Sequence, residues 1–108
     1  MAVRISSSPV RLSVLLSGEL DHHTAAAMRA EADGAILGSA AKTVNLDFGA
    51  VSFMDSSGVG FVMGRYRLAR ARGARVEVTN LSKKQMKIMK MSGLDGLVTL
   101  KERQENQK

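Results

Sequence analysis

Near the start of the chain, hydrophobic and polar residues alternate over a run bounded by Val10 and Leu16. A period of two is typical of a strand that buries one face and exposes the other. Just before this run, Pro9 follows three serines and predicts a turn. We therefore expect a short first strand, Val3–Ile5, joined by this turn to the second strand.

After the second strand the hydrophobic period changes to three and four residues, which predicts an amphipathic helix. Asp21 or Thr24 is expected to cap the start of this helix, and Gly38 is expected to end it. The apolar positions form one face and are Ala25, Met28, Ala32 and Ile36.

A strand and a second helix follow. Apolar residues at every second position predict a strand at Lys42–Phe48. The helix is expected to begin within Asp55–Ser57 and to run to about Ala71, with Gly73 as its stop. The spacing predicts an inner face of Val59, Val62, Met63, Tyr66 and Ala69, and places Arg65, Arg70 and Arg72 nearer the outer face.

The last third of the chain predicts another strand, helix and strand. The strands are expected at Ala74–Val78 and Leu97–Leu100, and Ser82 with Gln85 forms a capping-box sequence that begins the helix between them. This helix is expected to end at Gly93. The methionines are expected mostly to fill the core, among them Met63, Met86, Met89 and Met91. Two strands followed by alternating helices and strands predict an α/β fold with one small mixed sheet.

Length and composition limit the class of protein. The 108 residues predict one domain, residues 1–100, and a polar C-terminal tail, residues 101–108. Without cysteine the chain has no disulfide, zinc–thiolate site or cysteine nucleophile. The N-terminus lacks the apolar core of a signal peptide, and no later run is long enough to span a bilayer. We expect a cytoplasmic protein without a membrane partner.

The formal net charge of +6 raises the hypothesis of a basic nucleic-acid-binding module. With one Tyr, three Phe and no Trp, few side chains are available to stack on bases, which disfavours single-strand binding. Direct nucleic-acid binding is therefore not the favoured hypothesis. The same charge is compatible with an acidic protein partner or with solubility alone.

The segment Asp55-Ser56-Ser57-Gly58 is predicted to lie where a buried strand is followed by a helix. Free N–H groups and the helix dipole favour negative charge at such a position. We expect a phosphate on a serine there to be held by the backbone, and to convert a neutral surface into an anionic one. The alternative is that both serines are ordinary N-terminal helix residues, since Ser favours capping positions.

Two segments resemble the STAS domain of anti-sigma factor antagonists. The first is Gly18–Ala25, whose Asp-His-His-Thr turn is similar to that before the first helix in the sporulation sigma F branch. The second is Phe53–Gly60 with the following Gly64–Tyr66, which resembles the family's phosphorylation site and the helix after it. Met91–Leu94 is also similar to the end of the family's third helix. The likeness extends over nearly the whole chain, to Leu100.

The resemblance implies a STAS-type α/β fold, a small mixed β-sheet covered by helices on one side. It implies a regulator without catalysis of its own. The unphosphorylated form would bind an anti-sigma factor that is also a serine kinase, and would thereby free the sigma factor. The kinase would use ATP to phosphorylate Ser56, and a PP2C-type phosphatase would reverse this. The resemblance also implies a monomer or weak dimer. An antagonist acting on a stress-response sigma factor is an alternative within the same architecture.

The docking surface implied by the resemblance consists of the Gly18–Thr24 loop, the Asp55–Gly60 turn and the exposed side of the second helix. Asp55 has two compatible roles, to cap the helix or to orient the Ser56 hydroxyl. Helical glycines cost about 1 kcal/mol each relative to Ala. Their presence suggests that close packing or a docking partner requires the absence of a side chain there. The expected partner-binding residues are Glu19, Asp21, His22, Asp55, Ser57, Gly58 and Gly60.

No catalytic, cofactor or metal site is expected. The Asp-Ser-Ser-Gly segment is not the Gly-x-Ser-x-Gly turn of serine hydrolases. The glycine spacing in the second helix is one residue too long for a dinucleotide-binding motif. His22 and His23 are adjacent and are expected to point in different directions, so they would not hold one metal ion. Asp55 alone supplies too few ligands for a cation.

Overall fold

An antiparallel hairpin begins the chain in the computed structural model, which describes residues 2–104. Strands β1 (Ala2–Ser7) and β2 (Arg11–Leu20) pair with Val3 opposite Leu16 and Ile5 opposite Val14. The turn between them is closed by a 2.8 Å hydrogen bond from the Ser8 N–H to the Arg11 carbonyl. This confirms the predicted turn at Pro9.

Three crossover connections build the rest of the sheet. The strand order is β1-β2-β3-β4-β5, and β2 to β5 are parallel to one another. Each crossover moves to the next strand in the same direction, so the right-handed rule for parallel connections predicts every helix on the same face of the sheet. The remaining elements are α1 (Ala25–Leu37), β3 (Thr43–Met54), α2 (Ser57–Ala71), β4 (Arg75–Leu81), α3 (Lys83–Met91), a short 3₁₀ turn (Leu94–Gly96) and β5 (Thr99–Glu102). The predicted mixed sheet is confirmed.

The core lies between the helices and alternate residues of the central strands. All four apolar residues predicted on α1 are buried. The sheet buries Leu12, Val14, Leu16, Val44, Leu46, Phe48, Val76 and Val78 against them. The opposite face of the sheet is polar, with a 2.9 Å ion pair between Arg11 and Glu77 across β3. This one-sided burial accounts for the alternating pattern of β2.

The two central strands are longer than predicted. β2 continues beyond Leu16 to Leu20, and β3 continues beyond Phe48 to Met54. Gly49 and Ala50 are both exposed, so hydrophobic alternation does not mark the second half of β3. In this half, β3 continues because its backbone pairs with β2. The pairing includes register shifts, which the side-chain pattern does not reveal.

The last strand lies two residues later than predicted. Leu97 is in a turn, and β5 runs through Lys101 to Glu102, which pairs with Leu81 at the end of β4. The Arg103 N–H extends this pairing with a 2.7 Å hydrogen bond to the Leu81 carbonyl. The predicted polar tail therefore starts too early, because the backbone at 101–103 is hydrogen-bonded. Residues 105–108 of that tail lie outside the described residues.

The burial predicted from spacing is wrong for two side chains. Met91, expected in the core, is 77% exposed at the last position of α3. Arg65, expected near the outer face, is 5% exposed. Its Nε lies 2.6 Å from Asp33 Oδ1 on α1, and its Nη1 donates to the Phe61 carbonyl at 3.1 Å. Burial lowers the pKa of the Arg65 guanidinium, and Asp33 opposes that shift. This ion pair joins α1 to α2.

We predict that Asp33→Ala destabilises the fold by about 2–3 kcal/mol, because it leaves the buried Arg65 guanidinium without its carboxylate. Glu31→Ala is the matched control, since Glu31 is exposed on the same helix and forms no ion pair within residues 2–104. Its effect should stay within about 0.5 kcal/mol. Urea unfolding of the two variants measures the difference. Equal unfolding midpoints would contradict a structural role for the Asp33–Arg65 pair.

Candidate functional site

The site predicted around Ser56 is assembled at one edge of the sheet. β2 and β3 run parallel, with Leu20 opposite Met54, so both strands end side by side. The Asp55 N–H donates to the Leu20 carbonyl at 3.3 Å and extends the pairing one residue further. The loop after β2 and the loop after β3 therefore start next to each other, although they are more than thirty residues apart in sequence.

Gly18 shapes the end of β2. It has a φ of 89°, which favours glycine because it lies in the left-handed region. The register of β2 against β3 shifts on both sides of this residue. Such bulges bend a strand and redirect the side chains that follow. Here the bend leads into Glu19, whose side chain is exposed, and into the loop at Asp21.

The Asp21 carboxylate holds this loop in one conformation. Its Oδ1 accepts hydrogen bonds from the N–H groups of His23 at 2.9 Å and Thr24 at 3.1 Å. The Thr24 hydroxyl in turn donates to the Glu19 carbonyl at 2.8 Å. Desolvation raises the pKa of Asp21, but the hydrogen bonds from Thr24 and His23 outweigh it and hold the pKa below its ordinary value. The predicted capping role of Asp21 is thus performed in the turn just before α1.

At the start of α2, Asp55 has the capping role that the sequence predicted. Its Oδ1 accepts from the Ser57 N–H at 2.8 Å, and its carbonyl accepts from the Gly58 N–H at 3.0 Å. The Val59 N–H donates to the Ser56 carbonyl at 3.1 Å. These three N–H groups are therefore not free, whereas the expectation that the backbone would hold a phosphate on Ser56 stays a prediction. Asp55 accepts from the first two of them, and the Ser56 carbonyl accepts from the third.

Ser56 itself is exposed and makes no capping hydrogen bond through its hydroxyl. Its backbone is near-helical, with φ −64° and ψ −13°. A conventional N-cap serine has an extended backbone and accepts from the following turn. Ser82 does so at the start of α3, where it accepts from the Gln85 N–H at 3.1 Å. The capping alternative therefore describes Ser82 but not Ser56, whose hydroxyl is available to another molecule.

The glycines of α2 have different surroundings. Gly58 is buried, and a Cβ there would collide with the Met54 side chain, so close packing on β3 explains this glycine. Gly60 is exposed, and a Cβ at Gly60 or Gly64 would meet no atom within 4 Å. Packing within the fold therefore explains the glycine at position 58 but not those at positions 60 and 64. Of the predicted partner-binding residues, Gly58 is thus held beneath the surface and Gly60 lies on it.

A shallow cavity of about 340 Å³ brings several of the predicted residues together. It lies between the first turns of α1 and α2 and is lined by His22, Ala25, Ala26, Arg29, Ser57, Gly60 and Phe61. Glu19, near the end of β2, and Asp21, in the loop after it, do not line the cavity. These predicted docking residues therefore form two neighbouring groups, one lining the cavity and one in the segment that leads into α1.

Two residues of this edge were missed from the sequence. Phe53 is 52% exposed near the end of β3, two residues before Asp55. The sequence does not reveal this exposure, because large aromatic residues are usually buried. Arg29 lines the cavity with Ser57 and supplies a cation there. Its position on α1 carries no signal in the sequence, because only the packing of the two helices brings it there.

The histidines of the loop do not point apart as expected. The rings of His22 and His23 stack with centroids 4.1 Å apart and planes tilted by 36°. Within residues 2–104, no group of three His, Asp or Glu residues could hold a metal ion. In the same part of the chain, every helix is too short or too polar to cross a membrane.

Comparisons with known proteins agree with this geometry. The family model described as "Mlab, STAS domain" matches residues 1–99. The chain is 36% identical over 95 residues to an anti-sigma F factor antagonist of Paenibacillus polymyxa, covering 88% of this chain and 81% of that protein. It is 41% identical over 81 residues to an anti-sigma F factor antagonist of Lysinibacillus sphaericus, covering 75% and 69%.

Among solved structures, the chain is similar to the anti-sigma factor antagonist SpoIIAA, which is 36% identical. The unphosphorylated form aligns with a TM-score of 0.76 over 92% of this chain and 87% of that one. The phosphorylated form, from Bacillus, aligns with a TM-score of 0.70 over 92% and 90%. The match over nearly the full length, on the same five-stranded sheet, shows that this chain belongs to the STAS-domain family.

Proposed function

We propose that this protein is an anti-sigma factor antagonist controlled by phosphorylation of Ser56. Its unphosphorylated form binds an anti-sigma factor that is also a serine kinase, and binding releases the sigma factor. Transfer of the ATP γ-phosphate to the Ser56 hydroxyl ends the interaction. A PP2C-type phosphatase hydrolyses the phosphoserine and restores the binding form. The protein itself catalyses neither step.

The observation that carries this proposal is the exposed Ser56 hydroxyl, uncommitted to capping, beside the loop that follows β2. Its position supports access by a kinase without unfolding of the helix. The 36% identity to SpoIIAA, whose structure is known in phosphorylated and unphosphorylated forms, supports control by phosphate.

The effect of the phosphate follows from its surroundings. A phosphoserine at 56 carries close to two negative charges beside the Asp55 carboxylate. The next three backbone N–H groups already have acceptors within the protein, and Arg29 lines the cavity with Ser57. One arginine offsets at most one of the two negative charges, so net negative charge remains on the docking surface, where a partner built for a neutral hydroxyl must desolvate it. The fold is unaffected, because Ser56 is exposed.

The proposed docking surface has an acidic part and a glycine part. Glu19 is exposed near the end of β2 and can pair with a basic residue of the kinase. Gly60, with open space above it, lets a partner backbone approach α2. Phe53 supplies the exposed apolar contact. His22, Asp55 and Ser57 complete the surface, whereas Asp21 acts on it by holding the loop and Gly58 by allowing α2 to pack on Met54. We place this binding in the cytoplasm, by a monomer or weak dimer.

We predict that Ser56→Ala binds the kinase as tightly as the wild-type protein but is not phosphorylated, because only the acceptor oxygen is lost. Ser56→Asp should keep the wild-type melting temperature and bind at least roughly tenfold more weakly. Ser57→Ala is the matched control and should still accept one phosphate. Intact mass after incubation with ATP and the purified kinase, with peptide mapping, measures the modification, and calorimetry measures the affinities.

Full phosphorylation of Ser56→Ala would place the acceptor elsewhere. A large loss of stability in Ser56→Asp would show that charge acts on the fold and not on docking. Testing sporulation and stress-response kinases side by side distinguishes the proposed partner from the stress-response alternative.

We predict that Glu19→Lys weakens kinase binding by roughly tenfold, since an acidic docking contact is reversed in charge. Glu19 is a cleaner test than Asp21, because only its backbone carbonyl holds the loop. Glu31→Lys, which makes the same charge change at an exposed position of α1, is the control and should leave the affinity unchanged. Titration calorimetry compares both. An equal loss in the two variants would indicate a general effect of charge.

We predict opposite effects for two glycine substitutions in α2. Gly60→Ala should raise the free energy of unfolding by up to about 1 kcal/mol, because the added methyl group has open space and improves helix propensity. It should also weaken kinase binding. Gly58→Ala should lower stability by about 1–3 kcal/mol through its collision with Met54. Urea unfolding and kinase affinity are measured together. Unchanged affinity for Gly60→Ala would remove Gly60 from the docking surface.

A further inference from the structure

The second half of α2 carries a groove that the proposed function does not use. It has a volume of about 580 Å³ and lies between α2 and the turn before β5. Apolar atoms of Met63, Tyr66, Ala71 and Leu97 form its floor and walls, and Arg67 and Arg70 form its rim. Leu97 is 44% exposed there, in a turn where a polar residue would be expected.

The helical side of this groove is cationic, whereas the turn that carries Leu97 contains one exposed acidic residue, Asp95. Neither α2 nor α3 contains an Asp or Glu residue. Within residues 2–104, Arg67 and Arg70 form no ion pair. Arg70 also lines a neighbouring cavity of about 440 Å³, shared with Lys42 and Arg75, so the cationic rim continues past the end of α2.

The arginines of the rim differ from other cations of the chain. Arg72 is committed to the fold, since its Nη1 donates to the Ala41 carbonyl at 2.8 Å. Arg70 instead donates to the Tyr66 hydroxyl at 3.2 Å, which holds its guanidinium at the groove while leaving its other N–H groups available. Tyr, Met and Arg are the residue types enriched in protein interfaces, whereas Lys is depleted. The lysines of α3 are exposed, which is typical of a solvated face.

We propose that this groove binds an acidic protein segment, with one apolar side chain inserted against Leu97 and Met63 and flanking carboxylates on Arg67 and Arg70. The apolar floor suits a peptide side chain better than a phosphodiester backbone. Tyr66 is the only aromatic side chain in the groove, so bases have little to stack on. The bound segment is an acidic peptide of a protein partner.

This surface is separate from the one around Ser56. Arg67 is ten residues after the start of α2, which corresponds to about 15 Å along a helix. The groove therefore does not include the residues proposed to contact the kinase. The phosphate state of Ser56 should leave the groove unchanged.

The test is selection of a random dodecapeptide library, displayed on phage, against the wild-type protein at physiological salt. Enriched peptides should combine Glu or Asp with a Leu or Phe. The best peptide should lose at least roughly tenfold in affinity on the double variant Arg67→Glu/Arg70→Glu. The matched control is Lys83→Glu/Lys87→Glu, which makes the same change in net charge on α3 and should bind as the wild-type protein does. Leu97→Ser should also weaken binding.

Ser56→Asp should bind the peptide with wild-type affinity, which separates this proposal from the phosphorylation switch. Melting temperatures verify that each variant is folded. Enrichment without acidic residues, or an equal loss in both double variants, would overturn the proposal. Tighter binding of a single-stranded RNA oligonucleotide than of the selected peptides, lost in Arg67→Glu/Arg70→Glu, would assign the groove to nucleic acid instead.

Discussion

The parallel pairing of β2 with β3 is the constraint on which the rest of the structure depends. It makes both strands end at one edge of the sheet, so that two loops distant in sequence become neighbours. The hydrogen bond from the Asp55 N–H to the Leu20 carbonyl fixes the position of one loop relative to the other along the strand direction. Every contact proposed for the kinase surface lies in these loops, beside them or in the first turns of the following helices. A shift in this register by one residue would also exchange the buried and exposed faces of β3.

Hydrophobic periodicity predicted the elements whose burial is one-sided. The buried face of α1 and the mixed sheet were predictable, because the first follows a regular period and the second follows from the alternation of helices and strands. The second half of β3 was not, since there the backbone pairs while exposed Gly49 and Ala50 interrupt the alternation. Arg65 was misplaced because its burial depends on Asp33 of another helix, and a period taken from α2 alone does not include that partner.

The candidate site divides in the same way. The capping role of Asp55 follows from local chemistry, because a carboxylate placed just before a helix reaches the first N–H groups. The role of Gly58 required the position of Met54, and the place of Arg29 required the packing of α1 on α2. Local sequence thus indicates which residues can cap or accept phosphate. Tertiary contacts decide which of them are covered and which face solvent.

The two ends of α2 have neighbouring charges of opposite sign. Its N-terminus begins after Asp55, which takes up the Ser57 N–H and places negative charge next to Ser56. Its last turn carries Arg70, a cation that suits the negative end of the helix dipole. If Ser56 is phosphorylated as proposed, the added negative charge lies beside the Asp55 carboxylate, which already accepts from the Ser57 N–H, and the two groups repel each other. The cost falls on any partner that covers that end, while the cationic groove, about 15 Å further along the rod, is screened from it by salt and solvent. One rigid helix can therefore present a switched surface and an unswitched one without any change in the fold.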